Sequence, residues 1–378
     1  MRRDNRATYI AALLLAAILF SFLTIYAFGE HHEGGFSLSA NSAVLYQPQT
    51  ETFLYLKNAD LRLPMASTTK IMTALIALES CGMEELVEID GSAIGTEGSS
   101  AYLKMGDVLT MEELVYALLL QSANDAAVAI ACHIGGDVEG FADLMNGRAC
   151  DMGLTDTHFE NPHGLDGDEH YTTARELAII ASHALKNEDF KRIVSTYKKS
   201  FHTEERSRTY VNHNKLLHLY DGCIGVKTGF TKKSGRCLVG AAERDGLTFI
   251  TVTLDAPSDW RDHSLMLDYG YERLERVVFA NALDHMYRLP VIEGEEDHLT
   301  VLNTEGAELI RERSEGEIAE HIRLVRYAVA PIRRGDILGE IIYTIDGEET
   351  ARVPLIAAET VNKKEKDGFI RKILSIFD

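Results

Sequence analysis

The sequence predicts an α/β (α+β) protein: a first domain with an antiparallel sheet flanked by helices, then a small all-β C-terminal domain. Apolar residues recur at helical spacing after Pro64 and after Thr110, which predicts buried helices. From about Val277 the chain changes to short strand-like runs separated by turns. Five earlier strand-like runs predict a five-stranded sheet, in which the N-terminal pair forms a hairpin: 43–47, 52–56, 223–231, 236–242 and 247–254.

Composition narrows the possible function. With 378 residues, 46% of them hydrophobic, the chain is long enough for two globular domains. The formal net charge of −20 argues against a nucleic-acid partner, because phosphate binding needs clustered Lys and Arg. Five cysteines are scattered without a Cys-x-x-Cys pair, so neither a zinc site nor a disulfide framework is predicted. Most of them are expected to be buried thiols.

The N-terminal segment, residues 1–29, has the pattern of a secretory signal peptide or an N-terminal membrane anchor. Three arginines precede an apolar run from Tyr9 to Phe28. The run is about as long as a bilayer requires, whereas Ala27-Phe28-Gly29 offers small residues for cleavage and favours a signal peptide. In both cases the rest of the chain is predicted to be exported and extracytoplasmic.

A serine and a lysine three residues apart, Ser67 and Lys70, follow the helix-initiating Pro64. Residues i and i+3 share a helix face, so a neutral lysine at this spacing can take the serine proton. The helix N-terminus would favour an oxyanion formed at the serine. The spacing alone is weak evidence, because Ser195 and Lys198 repeat it in a polar stretch.

Two further motifs follow in the order expected of one class of serine enzymes. Ser122-Ala123-Asn124 lies between two apolar helices. Side chains at such a break can project into a cleft. The alternative is that one of these residues only caps the second helix. Lys227-Thr228-Gly229 lies in a strand-like run that can line the same cleft; the alternative for Lys227 is a solvated strand end.

With these three motifs the chain resembles the penicillin-binding serine enzymes, most closely the low-molecular-mass D-alanyl-D-alanine carboxypeptidases. The resemblance extends over roughly residues 36–360 and includes the segments Asn161-Pro162-His163-Gly164-Leu165 and 225–231. It implies a β-lactamase/penicillin-binding transpeptidase-like domain at 36–275. It also implies a β-rich C-terminal domain at 277–360.

The resemblance implies a reaction without a metal or an organic cofactor. Ser67 would attack the last peptide bond of a peptidoglycan pentapeptide stem and release the terminal D-alanine. Lys70 would take the serine proton, and Ser122 would join the proton relay. β-Lactams would acylate the same serine as covalent inhibitors.

The resemblance also implies a set of substrate-binding residues. Asn124 would hydrogen-bond a substrate amide, and Lys227 and Thr228 would hold the substrate carboxylate. Gly229 would let the substrate backbone approach as an added edge strand does. Arg261 stands where related carboxypeptidases carry an arginine near the pocket for the terminal carboxylate; a surface arginine is the alternative.

Three other functions remain open at the level of sequence. Two use the same chemistry, a D,D-endopeptidase and a β-lactamase, and the third is a non-catalytic penicillin-binding sensor or scaffold. Class A β-lactamases use a loop glutamate to activate water for deacylation, and Glu160 is the candidate for such a base. Its place just before Asn161 favours a structural role. The sequence does not set an oligomeric state.

The C-terminal segment, 361–378, is predicted to be a tail that binds the membrane surface. Five apolar residues fall on one helical face beside Arg371 and Lys372, the pattern of an interfacial helix. The alternative is a helix docked on the protein's own core. The apolar residues are Phe369, Ile370, Ile373, Leu374 and Phe377.

Overall fold

The structure is a computed structural model, and it describes residues 36–202, 207–313 and 316–365. The chain divides into two compact units, the first reaching residue 270 and the second comprising 245–247 and the chain from 271 onward. The predicted signal or anchor segment 1–29 and the apolar face of the predicted tail lie outside the described residues. Within the described part, the structure contains no helix that meets the length and apolarity needed to cross a bilayer.

Four helices of the first unit begin at a side chain that caps them. Thr110 Oγ1 accepts a hydrogen bond from the Glu113 N–H at 3.2 Å and caps the helix that follows. Thr173 Oγ1 accepts one from the Glu176 N–H at 3.1 Å. The helices are α1 (Lys70–Ser80), α2 (Met111–Leu120), α3 (Asn124–Gly135), α4 (Val138–Asp151), α5 (Ala174–Leu185), α6 (Glu188–Val194), α7 (Leu216–Leu219) and α8 (Asp259–Arg273).

The predicted five-stranded antiparallel sheet is confirmed, with the strand order β2-β1-β9-β8-β7. Ala43 of β1 pairs with Thr253 of β9, so the N-terminal hairpin completes the sheet as expected. Strand β7 lies at the edge, where it is free to line a cleft. The strands up to this point are β1 (Ser42–Gln47), β2 (Thr52–Lys57), β3 (Leu86–Glu88), β4 (Val108–Thr110), β5 (Lys198–His202), β6 (Ser207–Val211), β7 (Cys223–Thr231), β8 (Gly235–Arg244) and β9 (Leu247–Leu254).

The second unit is all β, as predicted. A six-stranded sheet has the order β14-β16-β17-β12-β11-β15, and β10 pairs with β13. Its strands are β10 (Leu274–Ala280), β11 (Met286–Ile292), β12 (His298–Leu302), β13 (Ala307–Glu312), β14 (Ile318–Leu324), β15 (Ala328–Val329), β16 (Ile337–Ile345) and β17 (Glu348–Ala357).

The predicted domain limits differ from those of this unit. The main segment of the unit begins at Tyr271, earlier than the predicted limits at 275 and 277, and Leu274 already pairs with Glu312. Val361, placed in the tail by the sequence, is buried in the core and bridges Ile332. The β-rich domain therefore continues past 360.

The expectation that most cysteines are buried is wrong. All five are free thiols, and Cys237 alone is fully buried, where burial raises its pKa to about 11. Cys150 is exposed, and the other three are partly buried. Helical spacing predicts which face of a helix is apolar, but it does not predict which neighbouring element covers the ends of that face.

Candidate active site

Ser67 lies in a short 3₁₀ turn, Ala66–Thr69, and α1 begins only at Lys70. The expectation that Ser67 occupies the first turn of an α-helix is therefore corrected. Ala66 has a φ of +48°, and the Thr69 hydroxyl donates to the Ala66 carbonyl at 2.8 Å. This hydrogen bond helps to hold a turn that L-residues rarely adopt, and Ser67 stays partly exposed in it.

The Lys70 side chain is fully buried and has three polar partners. Its Nζ lies 3.0 Å from Ser67 Oγ, 2.7 Å from Asn124 Oδ1 and 2.5 Å from the His163 carbonyl oxygen. Asn124 Nδ2 donates to the Glu97 carbonyl, so the amide oxygen is the atom that faces Lys70.

This set of partners suits a neutral amine. A neutral lysine has two N–H bonds and one lone pair, and two of its partners are carbonyl oxygens, which can only accept. When both hydrogens go to Asn124 and His163, the lone pair is left for the Ser67 hydroxyl. The arrangement therefore fits a base that takes the serine proton.

The electrostatics of the site also favour the neutral form of Lys70. Burial holds the pKa of Lys70 well below its usual value, and the nearby Lys227 charge lowers it further, against an opposing effect of Asp125. Burial lowers the pKa of Lys227 itself to about 7. When Lys227 is charged, it therefore helps to keep Lys70 neutral.

The His163 carbonyl is positioned by its own loop. Asn161 Oδ1 accepts hydrogen bonds from the N–H groups of His163 and Gly164, at 3.2 and 2.7 Å, and makes the loop rigid. Gly164 has a φ of +87°, and a Cβ there would lie 1.9 Å from the Ala66 carbonyl oxygen. Only glycine allows this loop to contact the nucleophile turn.

His170 of the same loop supports the nucleophile turn. Its Nδ1 accepts from the Glu160 N–H at 3.0 Å, so Nε2 carries the proton and donates to Thr69 Oγ1 at 2.8 Å. Burial lowers the pKa of His170 to about 4, which keeps this neutral tautomer. Thr69 in turn bonds Ala66, beside Ser67.

Ser122 lines the cleft together with Ser67, at the break between α2 and α3. Its φ of +60° is unusual for serine and turns the backbone sharply into α3. The next motif residue, Asn124, is fixed at the helix start because its N–H donates to the Ser99 carbonyl at 2.7 Å. The alternative, that this motif only caps the helix, does not agree with the structure. The N-cap of α3 is Ala123, and neither Ser122 nor Asn124 occupies that position.

Strand β7 brings the third motif to the nucleophile. Thr228 and Gly229 line the cleft, whereas Lys227 is buried and donates to the Thr228 carbonyl at 2.9 Å. A Cβ on Gly229 would lie 2.9 Å from the Ser67 nitrogen. Glycine is therefore required here for the contact with the nucleophile turn, a reason that the sequence did not reveal.

The structure brings a different arginine to the cleft from the one expected. Arg261 is exposed on α8 and is not among the residues that line the cleft. Arg236 does line it, with Nη2 at 2.9 Å from Asp259 Oδ2 and its guanidinium over the Trp260 ring. Arg236 is thus a second candidate for binding the substrate carboxylate.

Comparison with known proteins agrees with this geometry. The family profile described as D-alanyl-D-alanine carboxypeptidase matches residues 28–258, and that of the penicillin-binding protein 5 C-terminal domain matches 283–363. The D-alanyl-D-alanine carboxypeptidase DacF of Bacillus subtilis (strain 168) is 30% identical over 346 residues, which cover 89% of each chain.

Two solved structures are similar. The D-alanyl-D-alanine carboxypeptidase DacD of Francisella tularensis aligns with a TM-score of 0.62 at 27% identity, over 87% of this chain and 95% of that one. The DD-transpeptidase of Streptomyces K15 aligns with a TM-score of 0.59 at 35% identity, over 62% of this chain and 98% of that one.

The nucleophile–lysine pair, the two supporting motifs and the matched profiles define a penicillin-binding serine hydrolase with a C-terminal β domain. The chain belongs to the serine-type D-alanyl-D-alanine carboxypeptidase family, in its low-molecular-mass, two-domain form. The predicted family, fold class and enzyme class are confirmed.

Proposed function

We propose that this protein removes the terminal D-alanine from peptidoglycan pentapeptide stems through an acyl-enzyme at Ser67. The observation that carries the proposal is the Lys70 environment, in which two carbonyl acceptors leave the amine lone pair for the Ser67 hydroxyl. The family membership supports the choice of substrate.

Acylation forms one bond and breaks one. The Ser67 oxygen adds to the carbonyl carbon of the last peptide bond while its proton passes to Lys70. Backbone N–H groups, including that of Ser67, hold the oxyanion. The C–N bond then breaks, and the leaving amine of D-alanine takes the proton from Lys70 through Ser122. In deacylation, water adds to the ester carbonyl carbon, and Lys70 carries a proton from that water to the Ser67 oxygen. The C–O bond to Ser67 then breaks, which releases the shortened peptide as a carboxylic acid and restores the serine.

Recognition of the substrate carboxylate is assigned to the β7 side of the cleft. The charge of Lys227 and the hydroxyl of Thr228 supply complementary groups, and Arg236 offers a guanidinium at the cleft surface. Asn124 already gives its amide to Lys70 and Glu97, so we assign it first to orienting the base and second to the substrate amide.

The position of Glu160 favours a carboxypeptidase function over a β-lactamase function. Glu160 is exposed and does not line the cleft, and its backbone N–H supports His170. Among the described residues that line the cleft, the one carboxylate is that of Asp259, which is paired with Arg236, so we expect the penicilloyl-enzyme to be long-lived. We expect Glu160→Gln to leave its lifetime nearly unchanged.

One assay separates the candidate functions. The purified protein is incubated with a disaccharide pentapeptide, with a cross-linked dimer and with nitrocefin in excess. Release of D-alanine from the pentapeptide with little nitrocefin turnover is the expected result. Preferential cleavage of the dimer would identify an endopeptidase, and fast nitrocefin turnover lost on Glu160→Gln would identify a β-lactamase. Penicillin binding without any turnover would identify a sensor or scaffold.

We further propose an extracytoplasmic, membrane-associated location. The arginine-led apolar run up to Phe28 and the amphipathic run from Phe369 support it at the level of sequence. Deleting 369–378 from a protein that already lacks 1–29 should weaken binding to liposomes of anionic lipid. Equal binding with and without the tail would favour the alternative of a helix docked on the protein.

A further inference from the structure

Three side chains with different donor atoms converge at a site outside the catalytic cleft. The sulfur of Cys81, a carboxylate oxygen of Glu85 and a ring nitrogen of His133 all lie within 4.8 Å of one another. His133 Nε2 lies 2.8 Å from Glu85 Oε1. Among the described residues, this is the one group of three or more His, Cys, Asp or Glu side chains that is close enough to share a metal ion.

We propose that Cys81, Glu85 and His133 bind a zinc ion, with water as the fourth ligand. Thiolate, imidazole and carboxylate together are the ligands that zinc prefers, whereas Ca²⁺ and Mg²⁺ take oxygen ligands. One thiolate and one carboxylate balance the two charges of the ion. On binding, the Cys81 thiol loses its proton to solvent and a Zn–S bond forms.

The separations fit with small side-chain movements. Zinc–ligand distances of about 2.0–2.3 Å place tetrahedral ligand atoms roughly 3.3–3.6 Å apart. The His133–Glu85 pair is closer than this and the widest pair of the cluster is at most 4.8 Å, so shifts of about 1 Å suffice. The side chains of Glu85 and His133 are 45% and 28% exposed, which leaves a path for the ion and room for a water ligand.

The backbone around the cluster is held in place. The Cys81 N–H donates to the Ala77 carbonyl at the end of α1, at 3.1 Å. The Glu85 N–H donates to the Gly82 carbonyl at 3.0 Å, and its own carbonyl accepts from the Met111 N–H at 2.8 Å. His133 lies in the last turn of α3. The donors are thus carried by ordered backbone, which lowers the entropy cost of binding an ion.

The place of the site in the fold suggests its role. α1 begins at Lys70 and ends beside Cys81, and α3 begins at Asn124 and ends shortly after His133. The ion would link the C-terminal ends of the two helices whose N-terminal residues form the Lys70–Asn124 hydrogen bond. An 11-residue helix is about 16 Å long, so the ion would stabilise the helix pair without touching the reacting atoms.

The test uses the untagged full-length protein in detergent, titrated with Co²⁺ and then with Zn²⁺. Cobalt bound to a thiolate gives a sulfur-to-metal charge-transfer band, which distinguishes this site from the sulfur-free pair His31 and His32. We expect one equivalent of cobalt with this band, displaced by zinc, and a zinc-dependent rise in the melting temperature. Cys81→Ser should abolish the band, and His133→Gln should weaken binding by at least about tenfold, the smaller end of the loss caused by removing an outer-shell partner.

Cys150→Ser is the matched control, because Cys150 is an exposed cysteine outside the cluster, and it should bind cobalt as the wild type does. Thermal melting without metal shows whether each variant is folded. Four results would overturn the proposal. Three concern the sulfur band: its absence in the wild type, its survival in Cys81→Ser, or its loss with Cys132→Ser in place of Cys81→Ser. The fourth is unchanged cobalt binding in His133→Gln, which would show that His133 is not a ligand.

Discussion

Asn124 Oδ1 accepts a hydrogen bond from Lys70 Nζ at 2.7 Å, and this contact helps to orient the amine so that its lone pair can face the Ser67 hydroxyl. Replacing the amide by a carboxylate keeps the acceptor but adds a negative charge beside the amine. An opposite charge at this distance favours the protonated lysine. Asn124→Asp should therefore raise the pKa of Lys70.

The measurement for Asn124→Asp is the rate of acylation by a fluorescent penicillin as a function of pH. Because the base must be neutral, its acid limb should move to higher pH by about 1–3 units. Asn124→Ser is the control, since it removes the acceptor without adding charge and should lower the rate without that alkaline shift. An unmoved limb in Asn124→Asp would show that Lys70 is not the titrating base.

Lys70→Arg should be nearly inactive although it retains a cation. A guanidinium cannot lose its proton at these pH values, so it cannot take the Ser67 proton. We expect the acylation rate to fall by about 10²–10⁴-fold, the usual contribution of a general base. Lys198→Arg, in the second Ser-x-x-Lys sequence, should be unaffected. Near-normal acylation of the Lys70 variant would contradict the assigned role.

The lowered pKa of Lys227 predicts that kcat/KM decreases at alkaline pH. Its pKa is lowered to about 7 by burial, so the free enzyme loses this positive charge as the pH rises through that value. Binding of the substrate carboxylate favours the ammonium, so the alkaline limb of kcat should lie at higher pH than that of kcat/KM. In Lys227→Arg the cation persists, and the limb should move upward or vanish. A limb near pH 7 that remains in this variant belongs to another group.

Arg236 and Arg261 can be distinguished by their effect on carboxylate recognition. Arg236 lines the cleft and Arg261 is exposed on α8. We expect Arg236→Gln to raise KM for the pentapeptide by about tenfold, as loss of a charged hydrogen bond does, and Arg261→Gln to change it little. The decisive comparison is with a substrate whose terminal carboxylate is an amide, for which Arg236→Gln should make little difference. The reverse pattern would restore the sequence-based assignment of Arg261.

Local patterns in the sequence predicted most of the fold. Strand alternation and turn residues predicted the β7–β8–β9 succession and the N-terminal hairpin, whereas the pairing of that hairpin with β9 is known only from the structure. The conformation of the nucleophile turn was not predictable, because Ala66, with its positive φ, packs closely against Gly164 from a loop nearly one hundred residues later. Likewise, no local signal shows that the backbone carbonyl of His163 accepts a hydrogen bond from Lys70.

Arg236 could have been found from the sequence. The turn 232–234 sets Phe230 opposite Arg236 in the β7–β8 hairpin. Directly paired residues share a sheet face, as do residues two apart on one strand. Arg236 therefore shares a face with Thr228, which the motif had already placed in the cleft. Arg261 was chosen by resemblance alone.

The central claim is that Ser67 becomes acylated with Lys70 as its base. The most direct test is mass spectrometry of the protein quenched in acid after brief exposure to penicillin or to a D-alanyl-D-alanine peptide, followed by mapping of the modified peptide. Wild type and Ser195→Ala should carry one acyl group on Ser67, and Ser67→Ala should carry none and release no D-alanine. An acyl group that persists in Ser67→Ala, or one that maps to another residue in the wild type, would contradict the mechanism.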